Sequence, residues 1–233
     1  PIHGGLPVEG FRKPGSGPHR LLIIPGSPSR KYTLRRMMAS APDELEVIAI
    51  IRPGYSRGHE PVFDFDDQVE ALRPLIETND GKKTITLGIS YGAELALKAG
   101  LTFPDYVSGV MSVAGLITEP RALVRGALPL SDIPGIHHLL PKYLKTARQE
   151  IANRRPQLDD VFDRLGKLSV PVTVLHGNVD HLVSRQNAKH LMAKFRPDQD
   201  VVYNHIPGGT HFMEMQMPRR LYSEVNNLIA RIR

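Results

Sequence analysis

Gly88-Ile89-Ser90-Tyr91-Gly92 decides the fold, because it joins a strand candidate to a helix candidate. Residues 84–87 before it, Thr-Ile-Thr-Leu, are β-branched or apolar. A serine on so tight a turn takes a strained backbone conformation and exposes its hydroxyl above the sheet, and flanking glycines leave room for the turn. The apolar residues after the turn recur at helical spacing: Ala93, Ala96, Leu97, Gly100 and Leu101.

Two later segments place a carboxylate and a histidine in matching positions. Asp180 lies in a loop after the apolar run 170–175, and His211 lies in a glycine-rich loop after the strand candidate 201–203. The chain order is therefore Ser, Asp, His, each just beyond the carboxyl end of a predicted parallel strand. Open α/β sheets gather their functional residues at that end.

With these segments the chain resembles the α/β-hydrolase family, from about Leu21 to the C-terminus. Gly-x-Ser-x-Gly, His-Gly-x-x-Asp-x-x-Val at 176–183 and the later Gly-Gly-x-His are together far more specific than any one of them. The resemblance implies that Ser90 is the nucleophile, His211 the general base and Asp180 the third member of a triad. It implies no cofactor.

Pro25-Gly26-Ser27-Pro28 resembles the oxyanion loop of this family, which usually reads His-Gly-x-Pro. Pro25 replaces the histidine. The group carried over is the backbone N–H of Ser27, so the replacement leaves that donor in place. The resemblance implies a second donor, the backbone N–H of Tyr91, the residue after the nucleophile.

Each assignment has a competitor. Ser90 could be an ordinary helix N-cap, and Asp180 could be a turn former, with Glu119 as the alternative acid. Glu119 lies well past the end of its predicted strand, so Asp180 is the better candidate. We expect His176 to be structural and His205 to lie within or at the end of a strand.

The segment 52–58, Arg-Pro-Gly-Tyr-Ser-Arg-Gly, follows another strand candidate. In the family this loop commonly carries an acidic residue close to the active site, and Arg52 departs from that pattern. Arg52 could be a cation at the mouth for an anionic substrate, or a surface arginine paired with Asp64 or Asp66. We favour the surface pair.

Strand and helix patterns alternate from residue 21 onward, which predicts a mostly parallel sheet covered by helices on both faces. A short strand candidate, Val8 to Phe11, precedes them. An apolar stripe at Phe65, Val69, Leu72 and Ile76 predicts one of the helices. The predicted strands are 21–25, 46–51, 84–88, 107–113, 170–176 and 200–206.

The alternation stops between residues 116 and 167, where prolines interrupt short helical patterns. The resemblance implies a small helical cap there, inserted in a single domain of residues 1–233. The adjacent pair His137-His138 would diverge on a helix, so we expect no metal site. An apolar underside would come from Leu123, Val124, Leu128, Leu130, Ile133, Ile136, Leu139, Leu140 and Leu144.

Composition narrows the class of protein. With 233 residues, 41% of them hydrophobic, the chain suits one sizeable core. No run of membrane-spanning length and no signal-like segment occurs, so we expect a cytoplasmic protein. The absence of cysteine excludes disulfides and a thiol nucleophile. The net charge of +6 suits an anionic partner, but basic residues are scattered and tryptophan is absent, which argues against nucleic acid.

The sequence therefore predicts a serine hydrolase that cleaves a carboxylic ester, lactone or thioester through an acyl-enzyme on Ser90. Its small-molecule substrate would carry an apolar acyl or aromatic part. Alternatives on the same scaffold are a receptor with slow or no turnover, an acyltransferase and a C–C bond hydrolase. An interaction protein that docks through a basic cap, with Arg121, Arg125 and Lys142, is a further alternative. The oligomeric state stays open.

Overall fold

One sheet positions the predicted site residues. The structure, a computed structural model, describes residues 6, 8–56, 58–118 and 140–232. In this part of the chain the strands are β1 (Glu9–Lys13), β2 (His19–Ile24), β3 (Glu46–Ile51), β4 (Lys83–Ile89), β5 (Val107–Val113), β6 (Val172–Gly177) and β7 (Val201–Ile206). Their order in the sheet is β1-β3-β2-β4-β5-β6-β7, and only β1 is antiparallel to its neighbour.

The predicted sheet is confirmed. Every strand predicted from residue 21 onward is present, with bounds that differ by two residues or fewer. The short N-terminal candidate forms the edge strand β1, whose Phe11 pairs with Ala49 of β3. Side chains alternate between the faces, so that Leu22 and Ile24 pack into one apolar cluster and the intervening Ile23 into the other.

Helices cover both faces, as the alternating pattern predicts. The predicted helix that begins near Phe65 is divided in two, because Pro74 has no N–H to continue the ladder. The described helices are α1 (Lys31–Ala39), α2 (Phe65–Glu70), α3 (Arg73–Ile76), α4 (Tyr91–Thr102), α5 (Lys142–Asn153), α6 (Arg155–Arg164), α7 (Gln186–Met192), α8 (Met213–Gln216) and α9 (Pro218–Ile229).

Helices α5 and α6 lie in the insertion between β5 and β6. Residues 119–139 lie outside the described residues, and with them Glu119, Arg121, Arg125, His137-His138 and the predicted apolar residues from Leu123 to Leu139. The cap at 116–167 therefore stays a prediction. Among the helices that the structure describes, none has the length and apolarity that a membrane crossing requires.

Candidate active site

Ser90 lies at the end of β4, in the strained turn that the sequence predicts. Its φ of 53° and ψ of −118° place a non-glycine residue in a rarely occupied region. Its N–H donates to the Val113 carbonyl at 2.8 Å, and its carbonyl accepts from Ala93 N–H at 3.0 Å. Ser90 does occupy the N-cap position of α4, but its side chain makes no capping hydrogen bond to the helix.

The glycines on either side of the turn are required by close backbone approach. A Cβ on Gly88 would overlap the carbonyl of Gly92 in α4. A Cβ on Gly92 would overlap the carbonyl of Ile24 at the end of β2. Only glycine at both positions lets the first turn of α4 sit against the strands.

The loop 25–28 lies against Ser90. A Cβ on Gly26 would be 3.0 Å from the Cβ of Ser90 and 3.7 Å from its Oγ. The hydrogen bonds between described residues leave the backbone N–H of Ser27 unused. Tyr91 is the first residue of α4, so its N–H has no partner within the helix. The loop that carries Ser27 therefore contacts Ser90, and neither predicted donor has a described hydrogen-bond acceptor.

Asp180 and His211 are brought together by the loops after β6 and β7. Asp180 Oδ2 lies 2.8 Å from His211 Nδ1. Asp180 Oδ1 accepts from the N–H groups of Leu182 at 2.9 Å and Val183 at 2.8 Å. Although burial alone would raise the pKa of Asp180, hydrogen bonds from His176, His211 and Val183 hold it well below its usual range.

The two loops are tied to each other. A Cβ on Gly177 would overlap the carbonyl of Gly209, and the same carbonyl accepts from the N–H of Val179 at 2.9 Å. Asn178 Oδ1 accepts from Gly208 N–H at 2.8 Å. With Nδ1 turned to the carboxylate, Nε2 projects from the far side of the imidazole. The Oγ of Ser90 and this nitrogen share no hydrogen bond in the described structure.

His176 and His205 lie where the sequence predicts. His176 belongs to β6, is fully buried, and its Nε2 lies 3.1 Å from the Val183 carbonyl and 3.4 Å from Asp180 Oδ2. His176 and His211 therefore both contact Oδ2 of the Asp180 carboxylate. His205 lies within β7 with an exposed side chain.

Both interpretations of Arg52 are wrong. Arg52 is only 1% exposed and pairs with Glu150 of α5. Although burial alone would lower its pKa, the Glu150 carboxylate raises it above its usual range. Asp64 instead caps α2, and Asp66 pairs with Lys98 at 3.0 Å. The arginine therefore neither faces the mouth nor lies on the surface.

Glu150 is a residue that the sequence reasoning missed. It accepts hydrogen bonds from Arg52, from Ser27 Oγ at 2.6 Å and from Tyr55 OH at 2.6 Å. In α5, Thr146, Ala147 and Glu150 recur at helical spacing and are all buried, but this burial is visible only in the structure. A charged residue in a buried stripe needs a partner of opposite charge.

A second buried pair of an arginine and a glutamate joins the end of α5 to α4. Arg154 Nη1 is 3.6 Å from Glu94 Oε1, and Arg154 Nη2 donates to the Thr118 carbonyl at 2.6 Å. Neither carboxyl oxygen of Glu94 has a hydrogen-bond partner among the described residues. Burial raises the pKa of Glu94 to about 8.

Glu214 of α8 is another buried carboxyl, three residues after His211. Burial raises its pKa to about 7 from its usual value of 4.5. The folded state therefore keeps this proton at pH values where the unfolded chain has released it, and stability falls as pH rises between these values.

We expect Glu214→Gln to relieve this penalty, because glutamine resembles the protonated acid. Its gain in unfolding free energy should grow from near zero at pH 4.5 to about 3 kcal/mol above pH 7. Urea unfolding at pH 5 and pH 8 measures the change, with Glu44→Gln, at an exposed position, as the control. A gain that is equal at both pH values would contradict the assignment.

The comparisons with known proteins agree with the fold. The sequence model described as the alpha/beta hydrolase family matches residues 21–224. The comparison with curated proteins gives no match.

Solved structures share the fold. A soluble variant of monoglyceride lipase from Saccharomyces cerevisiae aligns with a TM-score of 0.74 and 14% identity, over 97% of this chain and 92% of that chain. YbtT, a type II thioesterase of the yersiniabactin pathway, aligns with a TM-score of 0.75 and 16% identity, over 94% and 96%. A thermophilic esterase from Thermogutta terrifontis aligns with a TM-score of 0.69 and 16% identity, over 96% and 93%.

At 14–16% sequence identity, the structural similarity supports the fold alone. Membership of the family rests on the match to the family's sequence model. The match extends from β2 into α9 and so includes the Ser90 turn and the Asp180–His211 pair. The chain therefore belongs to the alpha/beta hydrolase family.

Proposed function

We propose that the protein is a serine hydrolase that cleaves carboxylic esters or thioesters through an acyl-enzyme on Ser90. The observation that carries the proposal is the strained Ser90 turn together with the 2.8 Å contact between Asp180 and His211. The proteins with which the chain shares its fold include a lipase, an esterase and a thioesterase by name, which is consistent with ester chemistry.

The chemistry needs each member in a definite role. A serine hydroxyl is a weak nucleophile, so His211 Nε2 would take its proton as Ser90 Oγ attacks the carbonyl carbon. Asp180 would hold the imidazole by its Nδ1–H and stabilise the imidazolium that forms. The tetrahedral oxyanion would accept from the N–H groups of Ser27 and Tyr91.

The intermediate would then collapse to the acyl-enzyme. The bond to the leaving alcohol or thiol breaks, and the leaving group takes the proton from His211. Water attacks the acyl group by the same route, gives its proton to His211, and releases the acid while Ser90 regains its hydroxyl. These steps balance without a cofactor, and lactones fit the same scheme.

Initial rates on a p-nitrophenyl ester series from acetate to decanoate, together with acyl thioesters, test the proposal. We expect saturable hydrolysis with an optimum chain length that reflects the acyl pocket. The decisive comparison is with the Ser90→Ala variant. Hydrolysis of neither class by the wild type would contradict the assignment and favour a receptor.

Gly26→Ala should lower activity while the protein still folds. The added Cβ would lie 3.0 Å from the Cβ of Ser90 and 3.1 Å from the Ile89 carbonyl, so the loop must move away from the serine. A shift of the order of 1 Å in a catalytic group costs about 100-fold in rate. Steady-state kinetics and thermal unfolding measure the two effects separately.

Gly166→Ala is the matched control, because a Cβ there meets nothing closer than 3.6 Å. We expect its rate to equal that of the wild type. An equally active Gly26→Ala protein would show that the loop position is not critical.

A further inference from the structure

The peptide between Gly26 and Ser27 is held from one side by Arg52. Arg52 Nη2 donates to the Gly26 carbonyl at 2.9 Å, and its Nε donates to the Pro25 carbonyl at 3.0 Å. The N–H and C=O of a trans peptide point in opposite directions. Because the Gly26 carbonyl points to Arg52, the N–H of Ser27 in the same peptide points away from it.

The same guanidinium also contacts Tyr91, whose backbone N–H is the second candidate oxyanion donor. The Arg52 carbon Cζ lies 4.5 Å from the centre of the Tyr91 ring. Gln68 connects the two, because its Oε1 accepts from Arg52 Nη1 at 3.0 Å and its Nε2 donates to Tyr91 OH at 3.1 Å. Arg52 thus bridges the two halves of the proposed oxyanion hole.

Glu150 fixes Arg52 in turn. Both of its carboxylate oxygens accept from the guanidinium, and Oε2 also accepts from the hydroxyls of Ser27 and Tyr55. Arg52 and Glu150 are almost completely buried. A buried ion pair is weak evidence for stability, because desolvation of the two charges offsets their attraction, whereas bidentate pairing fixes geometry.

The loop itself has few other means of keeping its shape. It lies outside strands and helices, and Pro25 and Pro28 have no N–H to donate. The described polar contacts of its Pro25 and Gly26 carbonyls are those with Arg52, and those of its Ser27 hydroxyl are with Tyr55 and Glu150.

We propose that Arg52 and Glu150 are positioning residues that hold the Gly26–Ser27 peptide with its N–H directed to the oxyanion of the reaction. This inference rests on the proposed hydrolase function. Neither residue touches the reacting atoms, since Glu150 acts through Arg52 and Ser27, and Arg52 acts through the peptide. Helix α5 of the insertion thereby sets the geometry of a loop more than a hundred residues earlier in the chain.

Glu150→Gln tests the inference. Glutamine keeps the shape but presents an amide NH₂ to donors that need an acceptor, which loosens Arg52 and the loop. Because an oxyanion donor acts mainly in the transition state, kcat should fall about 10- to 100-fold while KM changes less than about threefold. Affinity for a trifluoromethyl ketone, which forms a tetrahedral adduct with serine, should fall in parallel with kcat/KM.

Ser27→Ala is the second variant, because it leaves the Arg52–Glu150 pair and the backbone N–H intact and removes one hydroxyl contact. We expect a fall in kcat of about 3- to 10-fold. Glu46→Gln is the matched control. Glu46 is equally buried and pairs with Arg20 at 3.0 Å, at the opposite end of the strands. Its kcat should equal that of the wild type.

A fall in kcat for Glu150→Gln and Ser27→Ala, with a parallel loss of ketone affinity and an unaffected Glu46→Gln, supports the inference. Equal effects in Glu150→Gln and Glu46→Gln, or a lower unfolding midpoint without loss of ketone affinity, overturn it. If the wild type shows no hydrolysis that depends on Ser90, the proposed function fails. In that case, crystal structures of the Glu150→Gln and Ser27→Ala variants decide the inference. A Gly26–Ser27 peptide that keeps its wild-type position in both variants refutes it.

Discussion

Replacing Ser90 by alanine should lower kcat for ester hydrolysis by about 10⁴- to 10⁶-fold, the range found when single residues of a triad are removed. Alanine removes the oxygen that forms the acyl-enzyme, and only unassisted attack by water on a bound ester remains. Initial rates with the best p-nitrophenyl ester of the series measure the effect. Stoichiometric labelling by a fluorophosphonate should disappear together with the activity.

Ser112→Ala is the matched control for this variant. Ser112 is a fully buried serine on β5, the strand beside β4, and its hydroxyl has no described hydrogen-bond partner. Its removal should leave the rate unchanged. If Ser90→Ala retains the rate of the wild type, the acyl-enzyme mechanism is wrong. Both variants should unfold at nearly the same temperature, since Ser90→Ala leaves the strained backbone in place.

The sequence predicts the central part of this site because its signals are local. Gly88 and Gly92 mark the turn, and the structure accounts for each by a backbone contact that excludes a side chain. Asp180 and His211 each follow a strand whose apolar pattern is readable by itself. Parallel pairing of β6 and β7 then brings their carboxyl ends, and hence the two loops, together.

The surroundings of Arg52 could not be predicted in this way. Its partner Glu150 is 98 residues further along the chain, in a helix whose position depends on the insertion between β5 and β6. The nearer carboxylates, Asp64 and Asp66, have local uses as a helix cap and as a partner of Lys98. Charge alone does not select among partners, because pairing depends on which helices pack together.

Two buried pairs of an arginine and a glutamate lie near Ser90. Arg52 and Glu150 lie behind the loop 25–28, while Glu94 and Arg154 lie along α4, whose first turn follows Ser90. The Arg52–Glu150 ion pair has a desolvation cost that an apolar core would avoid, and burial keeps the Glu94 carboxyl protonated near neutral pH. Natural proteins break such packing rules mainly at functional sites, so the contacts of Arg52 and Glu150 with the loop beside Ser90 support a role in holding the site rather than in stability.

Replacing Asp180 by asparagine should lower kcat by about 10⁴-fold with little change in KM. Asparagine can donate a hydrogen bond to His211 Nδ1, which favours the tautomer with the proton on Nε2. That tautomer cannot accept the proton of Ser90. The variant would also lack the carboxylate that stabilises the imidazolium of His211.

The measurement is a pH–rate profile of kcat/KM for wild type and variant, with Asp80→Asn as control. Asp80 is a carboxylate whose pKa lies well below its usual value, partly through Arg20, but it is remote from the site. Its removal should leave the profile unchanged. In Asp180→Asn, activity should recover partly at high pH, where hydroxide replaces the missing base. A loss in kcat/KM of less than about tenfold would show that another group orients His211. His176, which contacts Asp180 Oδ2, would be the first residue to replace in that case.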